Sequence, residues 1–290
     1  MSLRLSLVTT LAALCLGLGL AQTTVVDDLG REVTLDAAPT RIVSLLPSHT
    51  ETVCALGACD LIVGLDRHSN VAAAPEVPRL GDPFAPDVEG IVALEPDLVL
   101  LDEYSGLHQA LESLGLVVFA GSPQTVAETY AYFEQMGALL GREDEAAALA
   151  ASVADELAAV AARLADAARP TVFVEIDPTP FTAGPGSYVD DLLRAAGGEN
   201  VVPAELGAFP QVDPEFVVAQ DPQVILLLDA PFGVTARNVA ARPGWSGLAA
   251  VRDGRVVELT VEQADALSRA GPRLGEAVRL LAAVLHPELF

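Results

Sequence analysis

The chain contains no lysine. Of its 290 residues 16 are basic, every one an arginine, against 40 acidic ones, and the formal net charge is −24. Such a surface repels a phosphate backbone, which excludes nucleic acid as a partner. Histidine is scarce too: His49, His68, His108 and His286 lie far apart. A carrier of free zinc or manganese needs several clustered His and acidic ligands, which four scattered imidazoles do not supply. The three cysteines have no second Cys or His pair at ligand spacing, so a zinc module is excluded. The chain lacks a GxxxxGK(S/T) loop and so does not itself hydrolyse ATP. It also lacks a G-x-S-x-G elbow, so Ser48, His49 and Glu51 read as the start of a helix, capped by Ser48 or Thr50, and not as part of a hydrolase triad.

Long apolar runs are missing as well, except at the N-terminus. "LVTTLAALCLGLGLA" follows Arg4 and ends in Gly19-Leu20-Ala21, a small-x-small site before Gln22. Residues 1–21 are therefore expected to be a cleaved secretory signal peptide. Leu14 stands where a lipoprotein signal needs a small residue before Cys15; a retained anchor is the alternative. The mature chain is expected to be exported, extracytoplasmic or periplasmic, and soluble. Cys54 and Cys59 in "TVCALGACD" read as two small buried side chains near a helix end, with a local disulfide as the alternative in an oxidising compartment.

What is present is a large core and a repeat. Hydrophobic residues make up 51% of the chain and charged ones 19%, which argues for a folded chain of one large domain or two lobes. Residues 24–35 alternate at period two and predict a hairpin. "RIVSLLPS", "DLIVGLD", "DLVLLD" and "LVVFA" then read as apolar strands alternating with helices, the pattern of a parallel sheet covered on both faces. Residues 142–168 hold no Gly or Pro, and Leu149, Val153, Leu157, Val160 and Leu164 recur at helical spacing; one helix of about 40 Å is expected. The alternation restarts after Pro170. "VEGIVALEPDLVLL" (88–101) aligns without a gap on "PEFVVAQDPQVILL" (214–227), with Glu89 on Glu215, Ala93 on Ala219 and Pro96 on Pro222. The expected fold is therefore α/β: two Rossmann-like lobes with mainly parallel sheets, 22–141 and 169–290, joined by the helix 142–168, with a cleft facing the C-terminal strand ends.

"VVDDLGREVTL", "RIVSLLPSHTETVCALGA", "IVALEPDLVLL", "FTAGPGSYVDDLLRAAGGENVV" and "RAGPRL" occur in that order over essentially the whole mature chain. Together they resemble the helical-backbone class (class III) of periplasmic substrate-binding proteins of ABC importers, and most of all its vitamin B12 binders. The resemblance implies a non-enzymatic, monomeric protein that binds a metal chelate in the inter-lobe cleft and delivers it to an ABC permease with its ATPase subunits. It implies no cofactor of the protein's own, because the chelate is cargo. It also implies that Glu89 and Glu215, each in the first turn of a short helix where the dipole favours a negative charge, enter arginine pockets on the two permease subunits.

Ligand contacts are expected on the strand-end loops. His68 stands where the B12 binders carry a ring-stacking tyrosine; an imidazole stacks, hydrogen-bonds or ligates a metal axially. Asp265, Ala266, Leu267, Ser268 and Arg269 align with a ligand-contacting loop whose aromatic residues are missing here. Phe84, Tyr104, Phe181, Phe209 and Phe232 are candidates for flat apolar walls, and Trp245 for core. Cobalamin or a related corrinoid is the first expectation. The alternative is haem, with Tyr104 as axial ligand, or a ferric siderophore, with Arg67 and Arg269 meeting anionic oxygens.

Overall fold

The computed structural model describes residues 22–74 and 76–290, so the expected signal peptide lies outside the described residues. The chain opens with a hairpin of β1 (Thr23–Val26) and β2 (Glu32–Leu35), paired antiparallel as the alternation predicts. The N-terminal lobe follows: β3 (Ile42–Ser44), α1 (Pro47–Ala55), β4 (Ile62–Leu65), the small hairpin of β5 (Gly81–Asp82) and β6 (Ala85–Pro86), α2 (Val88–Ala93), β7 (Leu98–Leu101), α3 (His108–Ser113), β8 (Val118–Ala120) and α4 (Val126–Leu140). Its four-stranded sheet runs β4-β3-β7-β8, all parallel. α5 (Glu143–Arg163) leads to the C-terminal lobe: β9 (Thr171–Asp177), β10 (Phe181–Thr182), α6 (Tyr188–Ala195), β11 (Glu199–Asn200), α7 (Pro214–Gln220), β12 (Val224–Leu227), α8 (Ala236–Ala240), α9 (Ala249–Arg252), β13 (Val256–Glu258), α10 (Val261–Ser268) and α11 (Leu274–Leu285). Here β9, β12 and β13 form a parallel core; β10, antiparallel, and β11, parallel, also pair with β9.

Alternate residues of each central strand point to opposite sheet faces, and the apolar interior divides accordingly. Val43, Val99 and Val118 pack outward under Ile91 of α2 and Leu111 of α3. Phe173, Ile225 and Leu227 pack outward under Val217 of α7, Val239 of α8 and Trp245, whose ring meets Phe173 edge-on. The inner faces of both sheets, with Ile42, Leu98 and Leu100 from one and Val172, Val224 and Leu226 from the other, belong to a single apolar cluster that runs through α1, α4, α5, α6 and α11. The lobes thus share a core. α5 packs on α4 of the first lobe and on α6 and α11 of the second, and is no free-standing strut.

Three expectations need correction. The inter-lobe helix ends at Arg163, not at 168, which makes it about 31 Å long. Leu164 turns into the core at 3% exposure, and Asp166 puts a negative charge where the helix dipole disfavours it. Second, α1 begins at Pro47 with no side-chain cap; proline suits the first helical position because its missing N–H has no acceptor there in any case. Thr50 bonds instead to Ser44 and Ser69, both at 2.8 Å, tying β3 to the loop after β4. Third, Cys54 and Cys59 are joined in a disulfide. Gly57, at φ +74°, reverses the chain after α1 and returns Cys59 over the last helical turn.

Candidate functional site

Loops at the C-terminal ends of both sheets converge on one cavity of about 670 Å³, the size of a ligand pocket and the place where open α/β sheets bind. Phe84, on the β5–β6 turn, and Tyr104, after β7, come from the N-terminal lobe. Phe181, Phe209 and Phe232 come from the C-terminal lobe, with Tyr188 at the start of α6. Packing does not explain three of these rings: Phe84 is 55% exposed, Tyr104 68% and Phe232 88%. Phe209 leans on Tyr188, centroids 6.1 Å apart, so that wall is braced. Asp102 caps the single turn that carries Tyr104, accepting from the Tyr104 N–H at 2.7 Å. Partial burial first, and then the carboxylates of Glu103, Asp102 and Asp28, raise the Tyr104 hydroxyl above its ordinary pKa.

His68 lines the cavity on an exposed loop. Its Nε2 accepts from Arg67 Nε at 2.9 Å, which leaves the ring proton on Nδ1. Arg67 is itself paired with Asp82 at 2.8 Å. Buried Asp66 holds the loop by accepting from the backbone N–H groups of His68 and Ser69 at 2.6 and 3.0 Å.

The cavity floor is polar and crosses between the lobes. Arg269, the one arginine that lines the cavity among the described residues, donates to Glu51 Oε1 at 2.6 Å, to Asn70 Oδ1 at 2.8 Å and to Asp265 Oδ1 at 2.8 Å. Asn70 also donates to Asp265 at 2.7 Å, and Arg273 to Glu51 at 2.7 Å. Beside this network the Tyr188 N–H donates to the Gln124 carbonyl, and the Val126 N–H to Asp191 at 3.0 Å. Arg269 is thus committed to two carboxylates, Glu51 and Asp265.

The structure brings His68, Phe84, Tyr104, Phe181, Phe209, Phe232, Asp265, Ser268 and Arg269 to one cavity. Ala266 and Leu267 are elsewhere: both are wholly buried in the shared core. The segment 260–269 is not a loop but the helix α10, whose turn points positions 265, 268 and 269 at the cleft and 266 and 267 inward. Its signal was the capping box of Thr260 and Gln263. Glu51, Asn70 and Arg273 carry no local signal; they complete the polar network but line a smaller pocket that shares Asp265 with the cavity. His49 is structural: wholly buried, it donates from Nε2 to the Leu101 carbonyl at 3.1 Å and accepts from the Tyr132 hydroxyl. Glu89 and Glu215 lie outside the cavity, both exposed, in the first turns of α2 and α7.

Residues 42–262 match the model of a family described as periplasmic binding protein. The chain belongs to that family. Its members bind solutes and are not enzymes. The family member is 32% identical over 279 residues to the ABC transporter substrate-binding lipoprotein YvrC of Bacillus subtilis, covering 92% of this chain and 86% of that one. It is 30% identical to a cobalamin-binding protein of Halobacterium salinarum, over 90% of this chain and 73% of the relative. Among solved structures, the periplasmic heme-binding protein RhuT of Roseiflexus superposes with a TM-score of 0.73 at 27% identity, covering 86% of this chain and 99% of that one. The relatives' names differ in cargo.

Proposed function

We propose that this binding protein works outside the cytoplasm, captures cobalamin or a related corrinoid in the inter-lobe cleft, and delivers it to the permease of an ABC importer. One observation carries the choice of cargo. The cleft offers exposed aromatic faces from both lobes, yet the arginine in its lining is neutralised by Glu51 and Asp265. Apolar walls with a few polar groups suit a large flat ring with an uncharged, amide-rich rim. Haem carries two carboxylates and ferric siderophores are commonly anionic, and either asks for free cations. The 30% identical cobalamin-binding relative supports the same reading. Glu89 and Glu215, exposed on the two lobes, are the groups proposed to dock in arginine pockets of the permease.

The second reading, haem or a ferric siderophore, is favoured by the likeness to a heme-binding structure and by Tyr104 in the cleft. A tyrosinate ligand to iron must lose its proton, and the carboxylates around Tyr104 oppose that. Deleting the gene and following uptake of labelled cyanocobalamin, haem and ferric chelates separates the two. Loss of cobalamin uptake alone is the expected result. Loss of haem or ferric-chelate uptake with cobalamin unaffected would overturn the choice.

A further inference from the structure

The repeat noted in the sequence is reproduced in the backbone. Asp87 and Asp213 precede the two helices, Ile91 and Val217 are each wholly buried under their sheets, and β7 and β12 start at matching positions. Glu95 and Asp221, each followed by proline, sit at φ +46° and +44° and are the two non-glycine residues in the left-handed region among the described residues. One further correspondence is not needed by the fold. Val92 is 39% exposed and Val218 36%, each one helical turn beyond its glutamate. Residues at i and i+3 of a helix are surface neighbours, so each helix presents a Glu and a Val side by side.

A single exposed valine is ordinary. Two at equivalent positions are harder to dismiss, because the copies have diverged nearby: Gly90 faces Phe216 in the alignment, and Leu94 faces Gln220. Valine is also a poorer helix former than alanine by roughly half a kcal/mol; Val218 has Gly244 as a close neighbour. Ile91 and Val217 already fill the space under the sheet. Each valine is bordered by exposed carboxylates, Asp87, Glu89 and Glu95 on one lobe and Asp213, Glu215 and Asp221 on the other. Each helix starts shortly after a cleft aromatic, Phe84 or Phe209.

We infer that Val92 and Val218 are apolar knobs, one per lobe, that seat in paired sockets of the two-fold permease beside the basic sites for Glu89 and Glu215. The inference rests on the docking reading above and adds the chemistry of the partner: two apolar depressions with basic rims, the apolar-centre and polar-rim layout of protein interfaces. The acidic surrounds complement that rim and exclude an acidic partner.

The test places a photo-crosslinking phenylalanine at positions 89, 92, 215 and 218 of the full chain in its own cells, with 261 as control, since Val261 is 50% exposed and belongs to α10, not to α2 or α7. Adducts are identified by mass spectrometry. The four positions should yield an ABC permease and position 261 should not. Val92→Asp with Val218→Asp should cut the permease adducts at 89 and 215 by about tenfold or more, equivalent to ~1.4 kcal/mol, with thermal unfolding unchanged; Val92→Ser with Val218→Ser replaces the pair if the aspartates lower the melting temperature. Permease adducts from 89 and 215 that ignore the valine substitutions, or that are absent from 92 and 218, overturn the knobs and leave the glutamate docking standing. No permease adduct from any of the four overturns both.

Discussion

Glu51 of α1 and Arg269 at the end of α10 are 218 residues apart in the chain and meet across the cleft floor at 2.6 Å. Both are nearly buried, at 7% and 9% exposure, and Glu51 Oε1 also takes Arg273 at 2.7 Å. Removing one partner of a buried pair strands the other charge, which typically costs 3–5 kcal/mol. Glu51→Ala should therefore lower stability by about 3 kcal/mol in urea unfolding. Arg273→Ala, more exposed and with Arg269 left to hold Glu51, should cost about 1 kcal/mol or less. Equal losses from the two variants would contradict this account of the floor.

The shared core and this floor also limit motion. Lobes that hinge freely share little packed interior, whereas here one apolar cluster runs through α1, α4, α5, α6 and α11. Small-angle scattering with and without cyanocobalamin should show no resolvable change in radius of gyration, because pre-organised sites move little on binding. A large contraction on binding would mean that the cluster opens.

His49 predicts a pH dependence. Burial, the dominant cause, lowers its pKa from 6.5 to about 4. The unfolded chain then takes up a proton near pH 6.5 that the folded chain refuses until about pH 4. Stability from this group is complete above pH 6.5, falls as the pH drops towards 4, and is flat below that. The loss is on the order of 3 kcal/mol. Denaturant titrations at several pH values should show it in the wild type, and the slope should flatten over that window in His49→Gln. An unchanged slope in the variant would assign the dependence to other groups.

Asp229 has the opposite sign. It is 3% exposed, neither of its oxygens has a partner, and Glu175, paired with Arg242, lies beside it. Burial first and then Glu175 raise its pKa from 3.8 to about 7. A raised carboxyl contributes stability that is complete below about pH 4 and lost as the pH rises through 7. Asp229→Asn should thus stabilise the protein at pH 8 by roughly 2 kcal/mol, and not at pH 4, in thermal or urea unfolding. Equal effects at both pH values would show that the carboxyl is ionised throughout.

The lobes were legible because their strands are apolar runs cut by Gly and Pro, and the repeat because its Glu, Ala and Pro positions align without a gap. α10 does not read as a helix in the sequence, since its small alanines give no apolar stripe, and Ala266 and Leu267, expected in the cleft, are turned inward by their helical phase. The Cys54–Cys59 bond depends on the reversal at Gly57, which spacing alone does not reveal. The pairing of Glu51 with Arg269 could not be read at all: it exists only once two lobes are placed against each other, and that placement decides whether the cleft arginine is free to meet an anion.

Calorimetric titration of the purified protein with cyanocobalamin, haem and a ferric tricarboxylate chelate tests the central claim most directly. The aromatic cleft with a neutralised arginine predicts one cobalamin per chain, bound far more tightly than either anion. Tight one-to-one binding of haem or the ferric chelate, with cobalamin giving no heat and failing to compete, would contradict it.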